Sequence, residues 1–405
     1  MPRFFTGVGG FMFERYMLPD YQKKSIPNFS SGLVLHFCGH SLWPGFPFEE
    51  EGIDLSEIEK VVVFIIDALR YETVKKLLAE KKFEILGLKD LNYMTSVFPS
   101  TTTAALTSYF TGVPPALHGM LGYTLYLKEY GSLINMIELT PIYQDRDSLA
   151  RMGFDPLKFI PVQTVFQYLH ESGVRGYMIT SKSFVNTGLS RMHSNGGSSK
   201  GVYGIGDTFE ELHTILKSDS RESLIFVYWG LIDTYGHRYG PDSEAYELEA
   251  YWLLRVIEDF FRKIRNKKVA FFIVSDHGQI VTPWDREIWW SRHDIDIYDL
   301  LYTLPAGEHR AVFLHTNNPE KLKNMLEEKY EGKLRAFLRA EALELNLFGG
   351  TPSSELISRI GEVIVIPEED RSFCFKYTGQ EHSMKGRHGG LSPDEMKVPV
   401  IFLRK

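Results

Sequence analysis

Four apolar runs restrict what this chain of 405 residues can become: residues 61–66, 224–229, 269–274 and 398–403. Each is almost continuous and rich in β-branched side chains, with no polar alternation. Runs of that kind read as strands covered on both faces, as in a largely parallel sheet. Helical patterns separate them. Residues 164–171 stop at Gly173 and feed a strand over 174–180, 208–217 place Phe209, Leu212 and Leu216 on one face, and Pro241 and Asp242 mark the start of a long amphipathic stretch over 243–265. Alternating strands and helices predict an α/β fold, a three-layer sandwich around a largely parallel sheet.

The length is sufficient for more than one domain. We expect an α/β core from 59–290 and 376–405, an N-terminal segment (1–58) packing on it, and a smaller α+β insertion over 291–375. Within the insertion, helices are predicted at 296–304, 320–330, 334–345 and 353–361, and strands at 311–315 and 363–367.

In open α/β sheets, ligands bind beyond the carboxyl ends of the strands. Asp67 follows the first run, Asp233 the second and Asp276 the third. His237 lies four residues after Asp233 across Gly236, a glycine expected to let the backbone turn sharply so that both side chains converge without a helix. His277 adjoins Asp276, and His388 precedes Gly389-Gly390 near the fourth run. Three carboxylates and three imidazoles suit two divalent cations, since N and O donors bind zinc and also suit manganese. Asp233, His237 and His388 would form one group; Asp276 and His277 with Asp67 would form another, leaving room for a hydroxyl. Pro99-Ser100-Thr101-Thr102-Thr103 precedes the helical run 104–110. A Thr at that helix start meets free N–H groups and the positive end of the dipole, which favour an alkoxide and an approaching phosphate. Taken singly, an Asp-His pair is structural and a Thr before a helix is an N-cap. Together, at strand ends, they make a site.

Composition removes other classes. Apolar residues at 43% and charged residues at 24% exclude a disordered chain. A net charge of −7 excludes nucleic acid held on a general basic surface. Cys38 and Cys374 are too few and too far apart for a disulfide framework and suit a reducing compartment. No apolar stretch reaches transmembrane length, and the aromatic N-terminus is broken by glycines, Glu14 and Arg15, so the expected location is cytoplasmic, without membrane partners.

In order and spacing these residues resemble the alkaline-phosphatase superfamily, most closely its type I phosphodiesterase/nucleotide pyrophosphatase branch. That branch has Asp-Gly-x-Arg after the first strand, here Asp67-Ala68-Leu69-Arg70. Its nucleophile segment is mirrored by Pro99, Thr102, Thr111-Gly112 and His118-Gly119. Its Asp-x-x-x-Gly-His…Gly-Pro motif departs slightly, as Asp233 to His237 followed by Gly240-Pro241, and Asp276-His277-Gly278 and His388-Gly389 complete the set. The resemblance implies Asp67, Thr102, Asp276 and His277 on one metal ion, Asp233, His237 and His388 on the other, and Thr102 as nucleophile. The branch's phosphate-binding Asn aligns with Tyr123, and the aromatic that follows the nucleophile in nucleotide-cleaving members is Thr103. The sulfatase branch lacks support, because no Cys/Ser-x-Pro-x-Arg motif is present.

The implied activity is metal-dependent hydrolysis of small phosphoric esters, phosphodiesters or nucleotide pyrophosphates, through a phospho-threonine. The alternatives are a phosphomonoesterase or phosphate-transferring mutase of the same superfamily, or a non-catalytic binding module that retains its metals. Sequence leaves the oligomeric state open.

Overall fold

The computed structural model describes residues 15–41, 43–218, 221–290, 294–379 and 381–405. The first part of the 1–58 segment and positions 291–293 of the expected insertion lie outside the described residues. Seven strands form the main sheet: β1 (Lys60–Ile66), β2 (Leu91–Thr95), β3 (Arg175–Ser181), β4 (Ser198–Val202), β5 (Ser223–Trp229), β6 (Val269–Val274) and β7 (Lys397–Arg404). Their spatial order is β2-β7-β6-β1-β5-β3-β4. Of the six pairings, the two made by β7 are antiparallel and the other four are parallel.

The alternation of β1 shows why the fold has three layers. Val61, Val63 and Ile65 pack with α1 (Ile26–Cys38) and α2 (Thr102–Thr111) through Phe29, Tyr109 and Phe110. Val62, Phe64 and Ile66 face the opposite way, against α5 (Glu244–Lys263) and the helix Tyr71–Glu80. With all seven residues of β1 buried, each full burial of such a side chain stabilises by about 1.5–3 kcal/mol. Phe29 of α1 meets Phe272 of β6 at 5.0 Å between ring centroids, so this N-terminal helix is part of the core.

A second sheet of seven strands is antiparallel. It joins Leu334–Leu338, Val363–Pro367, Ala311–Leu314 and Ala306–Glu308 to Thr124–Leu127, Ser132–Asn135 and Thr140–Pro141. The seam is the pairing of Gly307 with Thr124. Ile364 and Ile366 face one apolar cluster and Val363 and Val365 another, the alternation of a sheet covered on both sides.

Three expectations fail here. Residues 334–345 are a strand, Leu334–Leu338, and only then a helix, Arg339–Glu344, because 334–338 pair residue by residue with Val363–Pro367. The helix expected at 353–361 shrinks to a 3-10 turn, Leu356–Arg359, and that at 296–304 to Ile295–Tyr298. No described helix is long and apolar enough to cross a membrane.

Candidate metal centre and nucleophile

Asp67 follows the last residue of β1, and its main-chain N–H donates to the carbonyl of Trp229, the last residue of β5. Asp276 and His277 follow β6. Asp233 and His237 lie on α4 (Leu231–Tyr239), which follows β5, while α3 (Gly188–His193) packs against α2. The expectation of a sharp turn at Gly236 is therefore corrected. Asp233 and His237 converge because residues four apart share a helix face. Gly236 is needed for room instead: a Cβ there would lie 1.7 Å from Oε1 of Gln279. His388 sits on a turn whose Gly389 has φ +118°, a backbone conformation that favours glycine.

These elements bring six predicted ligands into two groups, Asp67 with Asp276 and His277, and Asp233 with His237 and His388; within each, the donor atoms lie within 4.8 Å of one another. His277 Nε2 is 3.5 Å from an oxygen of both Asp67 and Asp276. His237 and His388 Nε2 lie 3.2 and 3.8 Å from Asp233 Oδ1. All three imidazoles meet a main-chain carbonyl through Nδ1: His237 at Gly386 (2.8 Å), His277 at Gly278 (3.0 Å) and His388 at Ser100 (3.1 Å). A carbonyl only accepts, so Nδ1 carries the proton and each Nε2 presents its lone pair to the cluster. That tautomer is the one by which metal-binding histidines are oriented.

The donor set fits divalent cations by a further test. Asp67 Oδ1 and Asp276 Oδ2 are buried without a hydrogen-bond partner among the described residues. Burial, then the charges of Asp276 and Asp233, push the Asp67 carboxyl well above the ordinary range. Bare, crowded carboxylates of this kind require a compensating cation.

Thr102 is the first residue of α2, and its Oγ1 lies 3.2 Å from His277 Nε2. Thr101 is the N-cap, with its side chain against Glu308. Beside Thr102 opens a cavity of about 420 Å³ that also reaches Asp67 and Asp233. Phe110, Phe184, Tyr228 and Trp229 form part of its wall.

Tyr123, expected to bind phosphate, is not among the residues that line this cavity. It lines a separate cavity of about 50 Å³, its hydroxyl accepts from Asn135 (2.8 Å), and its main-chain N–H donates to Glu308 (2.7 Å). Sequence reasoning also missed two groups that orient the carboxylates. Tyr228 donates its hydroxyl to Asp67 Oδ2, and Gln279 donates its amide to Asp233 Oδ1. Gln279 follows the Asp276-His277-Gly278 segment directly, which was the available signal; Tyr228 looked like one more strand residue.

A sheet edge that presents paired carboxylates and imidazoles around a helix-borne hydroxyl defines a metal-dependent hydrolase of the alkaline-phosphatase superfamily. Residues 61–391 match the family described as type I phosphodiesterase / nucleotide pyrophosphatase, and the chain belongs to it.

Solved structures agree on the fold. Murine ectonucleotide pyrophosphatase/phosphodiesterase 5 superposes with a TM-score of 0.62 at 14% identity, over 84% of this chain and 87% of the other. An inactive form of the murine protein was solved in complex with AMP (TM-score 0.63, 14% identity, 84% and 87% covered). Phosphonoacetate hydrolase from Sinorhizobium meliloti 1021, in complex with phosphonoformate, gives 0.58 at 18% identity over 85% and 89%.

Proposed function

We propose that this protein hydrolyses phosphodiesters through a covalent phosphate ester on Thr102. The observation that carries the reading is the position of Thr102 Oγ1, at a helix start, 3.2 Å from His277 and on the wall of the cavity that reaches both ligand groups. Asp67, Asp276, His277 and Thr102 would hold one divalent ion and Asp233, His237 and His388 the other, zinc in the first instance and manganese as the alternative. When bound, such ions offset the carboxylate charge and lower the pKa of a hydroxyl or water.

The chain supplies the rest. Tyr228 and Gln279 fix the carboxylates that they bond, and the N-terminus of α2 favours the anionic phosphate beside Thr102. Thr102 Oγ1 forms a bond to phosphorus as the ester oxygen opposite it leaves. Water then breaks the Oγ1–P bond and restores the hydroxyl.

The preference for a diester follows from charge. Of the residues lining the cavity, Arg146 is the sole Lys or Arg, and its guanidinium is engaged by Glu138 at 2.9 Å. A monoester dianion would find no free fixed cation there, whereas a diester carries one charge and a second substituent for the apolar wall. The test is hydrolysis of bis(p-nitrophenyl) phosphate against p-nitrophenyl phosphate by protein loaded with Zn²⁺ or Mn²⁺. The diester is expected to show the higher kcat/KM. A faster monoester would overturn the diester assignment, and full activity in stripped protein would overturn the metal requirement.

A further inference from the structure

The cavity beside Thr102 is apolar for most of its wall, yet besides Asp67 and Thr102 three buried polar side chains open onto it: Thr180, Ser190 and His193, exposed by 2%, 9% and 3%. The hydroxyls of Thr180 and Ser190 have no hydrogen-bond partner among the described residues, and His193 uses only one ring nitrogen. Facing an open cavity, these three side chains offer polar contacts to a molecule bound there.

The proton on His193 can be placed. The ring stacks on Phe110, with centroids 4.8 Å apart and planes 13° apart. Its Nε2 meets Thr107 Oγ1 at 3.0 Å. Thr107 has one hydroxyl proton, and it goes to the carbonyl of Thr103 at 2.7 Å. Oγ1 must therefore accept, which puts the imidazole proton on Nε2 and leaves Nδ1 with a free lone pair. Burial holds the ring neutral by pushing its pKa down to about 3. A neutral acceptor in an apolar, aromatic pocket rejects a ligand that cannot donate to it.

We infer that His193 is a specificity-determining residue. It accepts through Nδ1 from an O–H or N–H on an uncharged ring, carried by one ester substituent of the substrate, with the hydroxyls of Thr180 and Ser190 meeting the remaining polar edge of that ring. The inference rests on the phosphodiesterase reading for the word substrate, but the site itself stands on the cavity and its unpartnered atoms. Phe184 and Trp229 add to the aromatic wall, and Tyr203, 85% exposed, also lines the cavity.

The test uses aryl p-nitrophenyl phosphodiesters that share one leaving group, the phenyl ester against its 3- and 4-hydroxyphenyl analogues. In the unmodified protein at least one hydroxyphenyl ester is expected to exceed the phenyl ester in kcat/KM by about tenfold, the scale of one hydrogen bond to a buried acceptor. His193→Gln keeps a donor toward Thr107 but leaves no acceptor at the Nδ1 position, and the preference should collapse. His193→Asn, whose amide oxygen occupies the Nδ1 position, should retain it and separates this role from folding. The same comparison is made by binding of phenyl and hydroxyphenyl phosphate to the Thr102→Ala protein, followed by tryptophan fluorescence, to which Trp229 in the cavity wall contributes. No preference in the unmodified protein, or one that survives His193→Gln, overturns the inference. If no ester is hydrolysed while binding still tracks His193, the phosphodiesterase reading falls and the His193 site remains.

Discussion

Arg310 and Glu395 form a two-point ion pair in which Nε and Nη2 of the arginine face the two carboxylate oxygens at 3.1 and 2.9 Å, both side chains being buried. Arg310 lies between Ala306–Glu308 and Ala311–Leu314 of the second sheet, and Glu395 lies just before β7 of the first. Glu395 also accepts from the main-chain N–H of Gly390 (2.8 Å) and the hydroxyl of Ser392 (2.6 Å). One carboxylate thus fastens the two sheets together and fixes the turn that carries His388.

Glu395→Gln should destabilise the fold by about 3–5 kcal/mol, because it leaves the Arg310 charge buried and unpaired. Burial alone would raise the Glu395 pKa, but Arg310, Ser392 and Gly390 outweigh it and hold it below the ordinary carboxylate value. A depressed carboxyl pKa contributes stability that is complete above the unfolded value and lost as pH falls through the folded one. Denaturant unfolding of both proteins across that window should show this part of the acid sensitivity in the unmodified protein and its loss in the variant.

Thr102→Ala is expected to lose nearly all turnover while still binding metal, whereas Thr101→Ala should remain active with reduced stability. The distinction is structural: Thr102 faces His277, and Thr101 caps α2 with its side chain against Glu308. The Thr101 side chain makes no bond to the helix N–H groups, so the loss expected is that of its hydrogen bond to Glu308, about 0.5–1.5 kcal/mol. A dead Thr101→Ala beside an active Thr102→Ala would place the nucleophile one residue earlier.

Metal content should fall stepwise. His388→Ala or Asp233→Ala removes a donor from one group and leaves the other intact, so bound metal should drop from two ions per chain toward one, read by elemental analysis after gel filtration. Asp67→Ala should act on the other ion. Chelation of both should abolish turnover.

Tyr123→Phe should change kcat by less than about threefold, against the 10²–10³-fold loss on removing a donor to a transition-state oxygen. Its hydroxyl is held by Asn135, and it lines the smaller cavity rather than the one beside Thr102. Steady-state kinetics on one diester substrate decides the matter; a hundredfold loss would return Tyr123 to the phosphate site.

Ala68→Gly should stabilise the protein by about 0.5–1 kcal/mol, measured as a rise in Tm. Ala68 has φ +57°, a left-handed conformation costing an L-residue about 1–2 kcal/mol, offset in part by the greater freedom of glycine in the unfolded chain. The conformation is imposed from outside: its N–H donates to Asp276 Oδ1 (3.0 Å) and its carbonyl accepts from Tyr246. The type I phosphodiesterase pattern Asp-Gly-x-Arg places glycine at this position.

The strands covered on both faces were legible because burial on two sides demands an uninterrupted apolar run: 269–274 was read to the residue, and β1, β5 and β7 to within one. Edge strands carry no such demand. Ser198–Val202 reads Ser-Ser-Lys-Gly-Val, and only its last residue is buried, so nothing in its pattern marked it. The ligand residues were visible as types at strand ends, but their grouping depended on the helix Leu231–Tyr239, which Gly236 disguised. The cavity was invisible altogether, since Met178, His193 and Trp229 reach it from three separate elements.

β7 enters the sheet between β2 and β6. A ribosome making this chain delivers Asp67, Thr102, Asp233 and Asp276 long before it delivers His388 and the strand that follows. Until that strand threads in, β6 ends at an open edge and β2 has no neighbour. The hydroxyl proposed as nucleophile is therefore synthesised early, while the group of Asp233, His237 and His388 is completed only when the last strand arrives.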